Sequence, residues 1–420
     1  MKISLATRRA GVALTVAALA LTACGTNEAD ETAIPAAGET GELDVSDWAS
    51  VEAAAKGQTV NWYMFGGSDP INSYVNGYVA DELKKLDITM NQVKVTDTAE
   101  VVNRVLGEKQ AGRDTGSVDM IWINGENFKT GKQADLWYCG WAEQLPSAEF
   151  VDLEDPAVTS DFGEPVEGCE AAWSRAQSLV VYDSAKLSEQ DVSSMASLEG
   201  WATANPGRFT YAAPPDFTGS MVVRTFLYDT VGGPDDLLGA FDQAAYDEVT
   251  PELWERLNAL EPSLYRQGQT YPQAGPEVER LYGAGELDVY LAYGAGDLVQ
   301  QVEDGVFPAT TRTAVFDEGT IGNISFVTIP DNAPNKAAAL VLANLLQTPE
   351  AQFQKQVVTG AYPGIDLSAI PADALAQFDG IEVAEADLSF SEQVQNSRPE
   401  LVADWVSALE EGWIAEVQRK

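Results

Sequence analysis

The sequence predicts an α/β protein whose sheet is mostly parallel, with helices on both faces. Three observations predict it. From Thr59 onward, apolar segments of strand length alternate with segments of helical periodicity. Hydrophobic residues make up 45% and aromatic residues 9% of 420 residues, enough for two packed domains. Four of the turns that follow strands are polar, aromatic and Gly-rich, and in open parallel sheets ligands gather at such exits.

Thr59–Met64 reads as a buried strand and Gly66-Gly67-Ser68 as a turn. Ser68 or Asp69 caps a helix with Pro70 in its first turn and Ile71, Tyr74, Val75, Tyr78, Val79 and Leu83 on its apolar stripe. Gln92–Val95 is a second strand. Asp97, with Glu100 three residues on, starts a helix through Val101, Val102, Val105 and Leu106 that Gly112 ends. Val118–Ile123 is a third strand. Further strands are expected at Arg175–Tyr182, Phe209–Ala212, Asp288–Ala292 and Asn323–Ile329. A helix follows Asp216 and stops at Gly232-Gly233, and others cover Lys336–Leu346, the stretch after Thr348-Pro349-Glu350, and Arg398–Gln418.

The N-terminus reads as an export signal. Lys2, Arg8 and Arg9 precede an apolar run from Ala10 to Ala20, shorter than the roughly 20 residues a spanning helix needs. Leu21-Thr22-Ala23-Cys24 resembles the lipobox of bacterial lipoproteins, in which the cysteine thiol receives a diacylglyceryl group. The alternative is an ordinary secretory signal followed by a chance cysteine. Residues 1–23 are thus the expected lipoprotein signal peptide and Cys24 the lipid anchor. Residues 24–57 form a flexible tether, with a short helix expected at Asp47–Ala55. The protein should be extracytoplasmic, held at the cell membrane by that lipid, and monomeric.

The formal charge is −40, and it falls by about three more once the basic signal is removed. That sign excludes nucleic acid and anionic lipid headgroups as partners. It fits either a solvated acidic surface or a field that attracts cationic solutes. There is no histidine, so Ser-His-Asp and Cys-His catalysis and imidazole zinc sites are excluded, while carboxylate chemistry stays open. No cofactor and no metal are expected. Cys139 and Cys169 either pair, closing a loop of about 30 residues for roughly 3–4 kcal/mol, or remain free buried thiols. Asp114-Thr115-Gly116-Ser117 spells an aspartic-protease signature, but with no second copy it reads as a turn.

The candidate ligand-binding residues lie at four strand exits. The first carries Trp62, Tyr63, Gly66, Gly67, Ser68 and Asp69. The second follows Trp122 with Asn124, Gly125, Glu126 and Asn127. The third carries Asp216, Phe217, Thr218, Gly219 and Ser220, and the fourth Tyr293 and Gly294. Aromatic faces offer apolar area or cation–π contact, and carboxylates fix polar or cationic groups. Thr218, Gly219 and Ser220, at a helix start, suit an anionic or hydroxyl group.

At these loops the sequence resembles a known family. Val60-Asn-Trp-Tyr-Met-Phe-Gly-Gly-Ser68, Val93-Lys-Val-Thr-Asp-Thr-Ala-Glu100, Asp119-Met-Ile-Trp-Ile-Asn-Gly-Glu-Asn-Phe128 and Pro215-Asp-Phe-Thr-Gly-Ser220 are similar to the YnjB-like group of family 1 extracellular solute-binding proteins. Gly322-Asn323, Ala333-Pro-Asn-Lys336 and Thr348-Pro-Glu-Ala-Gln352 extend the likeness. The resemblance implies an α/β type II periplasmic-binding-protein fold, with two lobes joined by crossover strands and a ligand cleft between them. It implies lobe 1 at residues 58–172, lobe 2 at 173–321, and a return to lobe 1 with the C-terminal helices over 322–420. The crossovers fall near Trp173–Tyr182 and Pro308–Gly322. It implies a receptor, not an enzyme, that delivers a small molecule to the permease and ATPase of an ABC importer. Cys139 and Cys169 depart from the family pattern. Aromatics plus carboxylates favour a compact organic cation or zwitterion, thiamine-like, ahead of a carbohydrate. The rival from another class is an exported carboxylate-dependent hydrolase acting on a carbohydrate.

Overall fold

Strand Thr59–Phe65 is buried on both faces, and this sets the layering of the first half. Val60, Trp62 and Met64 point to one side and Tyr63 to the other. The computed structural model describes residues 43–294, 296–394 and 396–419. The signal peptide, Cys24 and the tether up to residue 42 lie outside the described residues.

Thr59–Phe65 pairs in parallel with Thr89–Val95 along its whole length and with Met120–Ile123 at its centre. Helix Asp69–Tyr74 continues through a π turn at Val75–Val79 into Ala80–Lys85 on one face of this sheet. Helices Thr98–Gln110 and Glu126–Gln133 cover the other. The expected caps form: the Ser68 hydroxyl accepts from Ile71 N at 3.4 Å and the Asp97 carboxylate from Ala99 N at 2.8 Å. Helix Lys336–Leu346 runs through the first core with only Lys336, Asn344 and Leu345 not buried. Helix Trp48–Ala55 packs on the same core through Val51 and Ala55, so residues 43–57, assigned to the tether by sequence, are in fact folded. The short helix expected at Asp47–Ala55 is there, and what the sequence did not show is that it docks on the domain through Val51 and Ala55.

The 14-residue strand Glu170–Asp183 links the halves. Its start pairs with Gly322–Thr328, and from Ser178 it pairs with Val289–Tyr293 and Thr311–Ala314. Among the described residues parallel ladders join the first three strands, and the other parallel pairings are the isolated bridges Phe209–Val289 and Ile321–Arg398. The pairings of the linking strand are all antiparallel. The reason is directional: a chain that leaves along one strand and returns along its neighbour must run the opposite way. The second core gathers helices Phe217–Val231, Gln243–Leu260 and Ala403–Trp413 around Trp254, Trp405 and Trp413.

Two segments differ from expectation. Phe209–Ala212 is extended but keeps only one ladder bridge, Phe209 with Val289, because its neighbours bond to loops: Tyr265 N donates to Phe209 O and Ala213 N to Pro272 O. The last helix begins at Ala403, not Arg398. Residues 398–402 stay extended because Arg398 bridges Ile321, with Gly322 N donating to Arg398 O at 2.9 Å. Cys139 and Cys169 are joined in a disulfide. Asp114–Ser117 forms a turn stapled by Glu108, which accepts from both the Ser117 amide and hydroxyl.

Candidate functional site

The structure brings three of the four strand exits together and leaves part of the first in a core. Trp62 is fully buried, edge-on to Trp173 at 5.4 Å, and Trp122 meets the same ring at 4.9 Å. Tyr63 packs on the opposite face beneath Arg104. Gly66 and Ser68 serve the helix start, Gly66 O accepting from Asn72, while Gly67 and Asp69 are exposed. Asn124 donates to Ile324 O at 2.6 Å and so ties its loop to the returning strand. Asn127 is half-buried on the first turn of the next helix.

The other three exits meet where the halves join. Gly125, at φ 59°, turns the chain so that its amide donates to the Asp161 carboxylate at 2.6 Å and the helix begins at Glu126. Glu126 accepts a hydrogen bond from Ser407 on the last helix at 2.9 Å. Asp216 caps helix Phe217–Val231 by accepting from Gly219 N at 2.9 Å, and also accepts from Gly275 N at 3.2 Å. Gly219 lies so close to Ala212 O that a Cβ would stand 2.1 Å from it. Thr218 lies beside Gly275. Phe217 remains 43% exposed, the only one of the site's rings that solvent reaches broadly. It stacks at a tilt on Tyr293, 5.0 Å between centroids, and on Phe162 at 6.1 Å. Gly294 N donates to Gln177 O, where the crossover strand changes partners.

Beneath the rings sits Arg224, 1% exposed. Its Nε and Nη2 grip Glu400 at 2.8 and 3.1 Å, Nη1 donates to Ser220 Oγ at 2.7 Å, and its guanidinium stands over Phe162. The Tyr293 hydroxyl donates to Glu400 as well. Burial opposes Arg224's charge, but Glu400 and Tyr293 outweigh it and hold its pKa above the ordinary value. That one positive charge is therefore already matched.

Around this centre lie carboxyls with no ion-pair partner among the described residues. Glu410 is pushed up to about 7, first by burial and then by Glu126, against the Ser220 hydrogen bond and Arg224. Glu279 is pushed up to about 7 by burial, then by Asp297 and Asp216. Asp216 is raised by burial despite its amide donors. Asp161 is raised well above its ordinary value by burial, with Glu400 adding repulsion.

Sequence reasoning missed Asp161, Phe162, Arg224, Glu279, Glu400 and Glu410. Arg224 sits four residues after Ser220 on one helix, a spacing that places it on the same face. The others carried no signal. Phe162 adopts φ 45° in a tight hairpin, and Glu400 enters only because 398–402 is extended.

Comparison with known proteins gives a consistent answer. A family model described as bacterial extracellular solute-binding protein matches residues 77–378. Protein YnjB of Escherichia coli (strain K12) is 38% identical over 376 residues, 88% of this chain and 93% of that protein. The solved structure of an ABC transporter substrate-binding protein from Bradyrhizobium japonicum USDA 110 superposes with a TM-score of 0.64 at 16% identity, covering 86% of this chain and 100% of that one. The spermidine/putrescine ABC transporter substrate-binding protein PotD from Streptococcus pneumoniae, solved with calcium and HEPES, gives 0.60 at 14%, covering 86% and 99%. The likeness to the solved structures is one of fold, and the fold is that of the two-lobed periplasmic binding proteins.

Proposed function

Because this chain belongs to the bacterial extracellular solute-binding protein family, we propose that it is the substrate-binding protein of an ABC transporter, a lipid-anchored receptor for a compact organic cation or zwitterion. The lobes at residues 58–172 and 173–321, with the return over 322–420, would close on the solute. One observation carries the reading. Glu126, Asp161, Asp216, Glu279, Asp297, Glu400 and Glu410 form a connected acidic field beside Phe162, Phe217 and Tyr293, and the buried Arg224 inside it is bound to Glu400. A cation supplies the missing charge and uses the ring faces. The start of helix Phe217–Val231 is less suited to an anion than its sequence suggests, since Asp216 already occupies the Gly219 amide. Trp62 and Trp122 are better read as support for the loops than as contacts.

A thermal-shift screen with thiamine, choline, spermidine, maltose and citrate tests the class. A true solute at about 100 times its Kd adds about 2.7 kcal/mol to stability. The reading fails if maltose or citrate shifts the melting temperature and no cation does. The hydrolase alternative has one observation in its favour, Glu410 raised to about 7 beside Glu126, a poise that suits a general acid. Recovery of a bound sugar intact after long incubation removes it.

The anchor follows from the sequence around Cys24. Among the described residues no helix is long and apolar enough to cross a membrane. A Cys24→Ala variant should appear in the medium as a binding-competent protein, and its retention on membranes would refute the anchor.

A further inference from the structure

We infer that the hairpin of Ser160–Asp161 and Glu164–Pro165 is a latch that holds the two halves together beside the solute site, with Phe162 as its bolt. The two short strands pair antiparallel and leave Phe162 and Gly163 as a two-residue turn. Both have positive φ, 45° and 76°. A turn of that kind suits Asn-Gly, Asp-Gly or Gly-Gly, because a bulky side chain is crowded by its own backbone in the left-handed region. Phe in the first position is a local cost that a contact elsewhere must offset.

The seat of the ring supplies that contact. The hairpin is rooted in the first half. Its Asp161 carboxyl accepts from Gly125 N at 2.6 Å, Lys132 pairs with Glu164 at 3.1 Å, and Val166 N donates to Thr159 O at 3.1 Å. A few residues on, Cys169 is tied to Cys139. The tip crosses to the second half. Phe162 is 7% exposed and packs within the second core, with the Arg224 guanidinium 5.8 Å above its ring and Phe217 at 6.1 Å. Phe162 O accepts from the amide of Ala403, the first residue of the last helix, at 3.0 Å. Gly163 presses on Val402 so closely that a Cβ would stand 2.3 Å from Val402 Cγ1. Alongside, helix Glu126–Gln133 reaches the last helix through Glu126 with Ser407 at 2.9 Å and Lys129 with Asp404 at 2.6 Å. The Asp404 side chain is 58% exposed, so that ion pair adds little, and the ring and the backbone bond carry the hold.

These contacts suit a latch better than a fixed core. The tip offers one ring, one backbone bond and one close glycine contact, few enough to part without unfolding either half. The same ring stands in the aromatic wall with Phe217 and Tyr293. A solute held on that wall and a seated Phe162 favour the same closed arrangement, so each strengthens the other. Withdrawal of the hairpin strips the wall of Phe162. The inference rests on the receptor reading above in one respect, that the halves open and close on a solute.

The test uses the purified protein with no solute added. Phe162→Asn turns the tip into Asn-Gly, which suits both left-handed positions, so the hairpin is kept while the bolt is lost. Ala403→Pro acts from the other side. It removes the N–H that bonds to Phe162 O, at the first helical position, where proline is tolerated, and after Val402, which is already extended at ψ 150°. In small-angle X-ray scattering both variants should show a larger radius of gyration than the wild type. Hydrogen exchange over 400–407, corrected for intrinsic rates, should quicken in both, while helix Gln243–Leu260 in the same core keeps its protection. Equal radii in all three proteins, or loss of protection throughout the second core in Phe162→Asn, would make Phe162 an ordinary core residue and overturn the inference. Failure of every cationic probe in the binding screen would leave these readouts unchanged, so the latch and the ligand class fail separately.

Discussion

The molecule holds two aromatic clusters of similar composition and opposite character. In the first half, Trp62, Trp122 and Trp173 meet edge to face, at 77° and 87° between planes. Their nearest cation is Lys355, 5.4 Å above Trp173, buried and donating to Trp173 O at 2.7 Å and Tyr362 O at 2.8 Å. With no carboxylate beside it, burial pulls the Lys355 pKa well below its ordinary value, and the cluster is electrically quiet. At the junction, Phe162, Phe217 and Tyr293 lie among acids, and one ring reaches solvent. Aromatic residues at strand exits therefore do not announce a site by themselves. What separates packing from recognition is the company of acids and a ring as exposed as Phe217, at 43%.

The largest effect expected from this contrast is in the quiet cluster. Trp173→Ala removes a fully buried ring and should cost about 3–5 kcal/mol of unfolding free energy. The fraction that stays folded should bind a cationic probe with wild-type affinity. Urea unfolding and calorimetric titration together check this. Lost affinity with stability intact would turn the comparison round and make the tryptophans the site.

A smaller effect with the opposite signature is expected at the junction. Phe217 is exposed enough that Phe217→Ala should cost under about 1 kcal/mol of stability. If Phe217 stacks on an organic cation, affinity should fall by roughly tenfold, in line with about 0.5–2 kcal/mol for a cation over a ring. An unchanged Kd would remove Phe217 from the recognition surface.

Most of the fold was legible because hydrophobic period and caps are local signals. The helix at Lys336–Leu346 and the cap at Asp97 needed only a few neighbouring residues. Strand direction was less legible. Nothing in Gly322–Thr328 says that it runs against Glu170–Asp183, since that depends on where the chain has been. The site was half legible. Asp216, Phe217, Ser220, Glu126 and Tyr293 sit at exits that the strand pattern exposes. Glu400 and Glu410 arrive from nearly two hundred residues away in sequence, and Asp161 gains its meaning from burial, which composition does not encode.

The finest discrimination between the clusters is their response to pH. Glu410 and Glu279, each pushed up to about 7, hold protons in the empty protein under mildly acidic conditions. A bound cation favours their ionised forms, so capture expels protons. Affinity should then rise with pH by up to tenfold per unit for each proton released and level off above about 7. Folding runs the other way. Both carboxyls bind protons more tightly folded than unfolded, so their contribution to stability is complete below about 4 and is lost as pH rises through about 7. Glu410→Gln should flatten the binding profile while leaving the response of the tryptophan cluster to urea unchanged, because the groups acting on Glu410 are Glu126, Ser220, Arg224 and Asp216 and not the tryptophans. Titrations in buffers of different ionisation enthalpy would count the protons directly. A count of zero with a cationic probe would mean that the acids of the junction are already neutralised from within, and that the rings alone distinguish it from the quiet cluster.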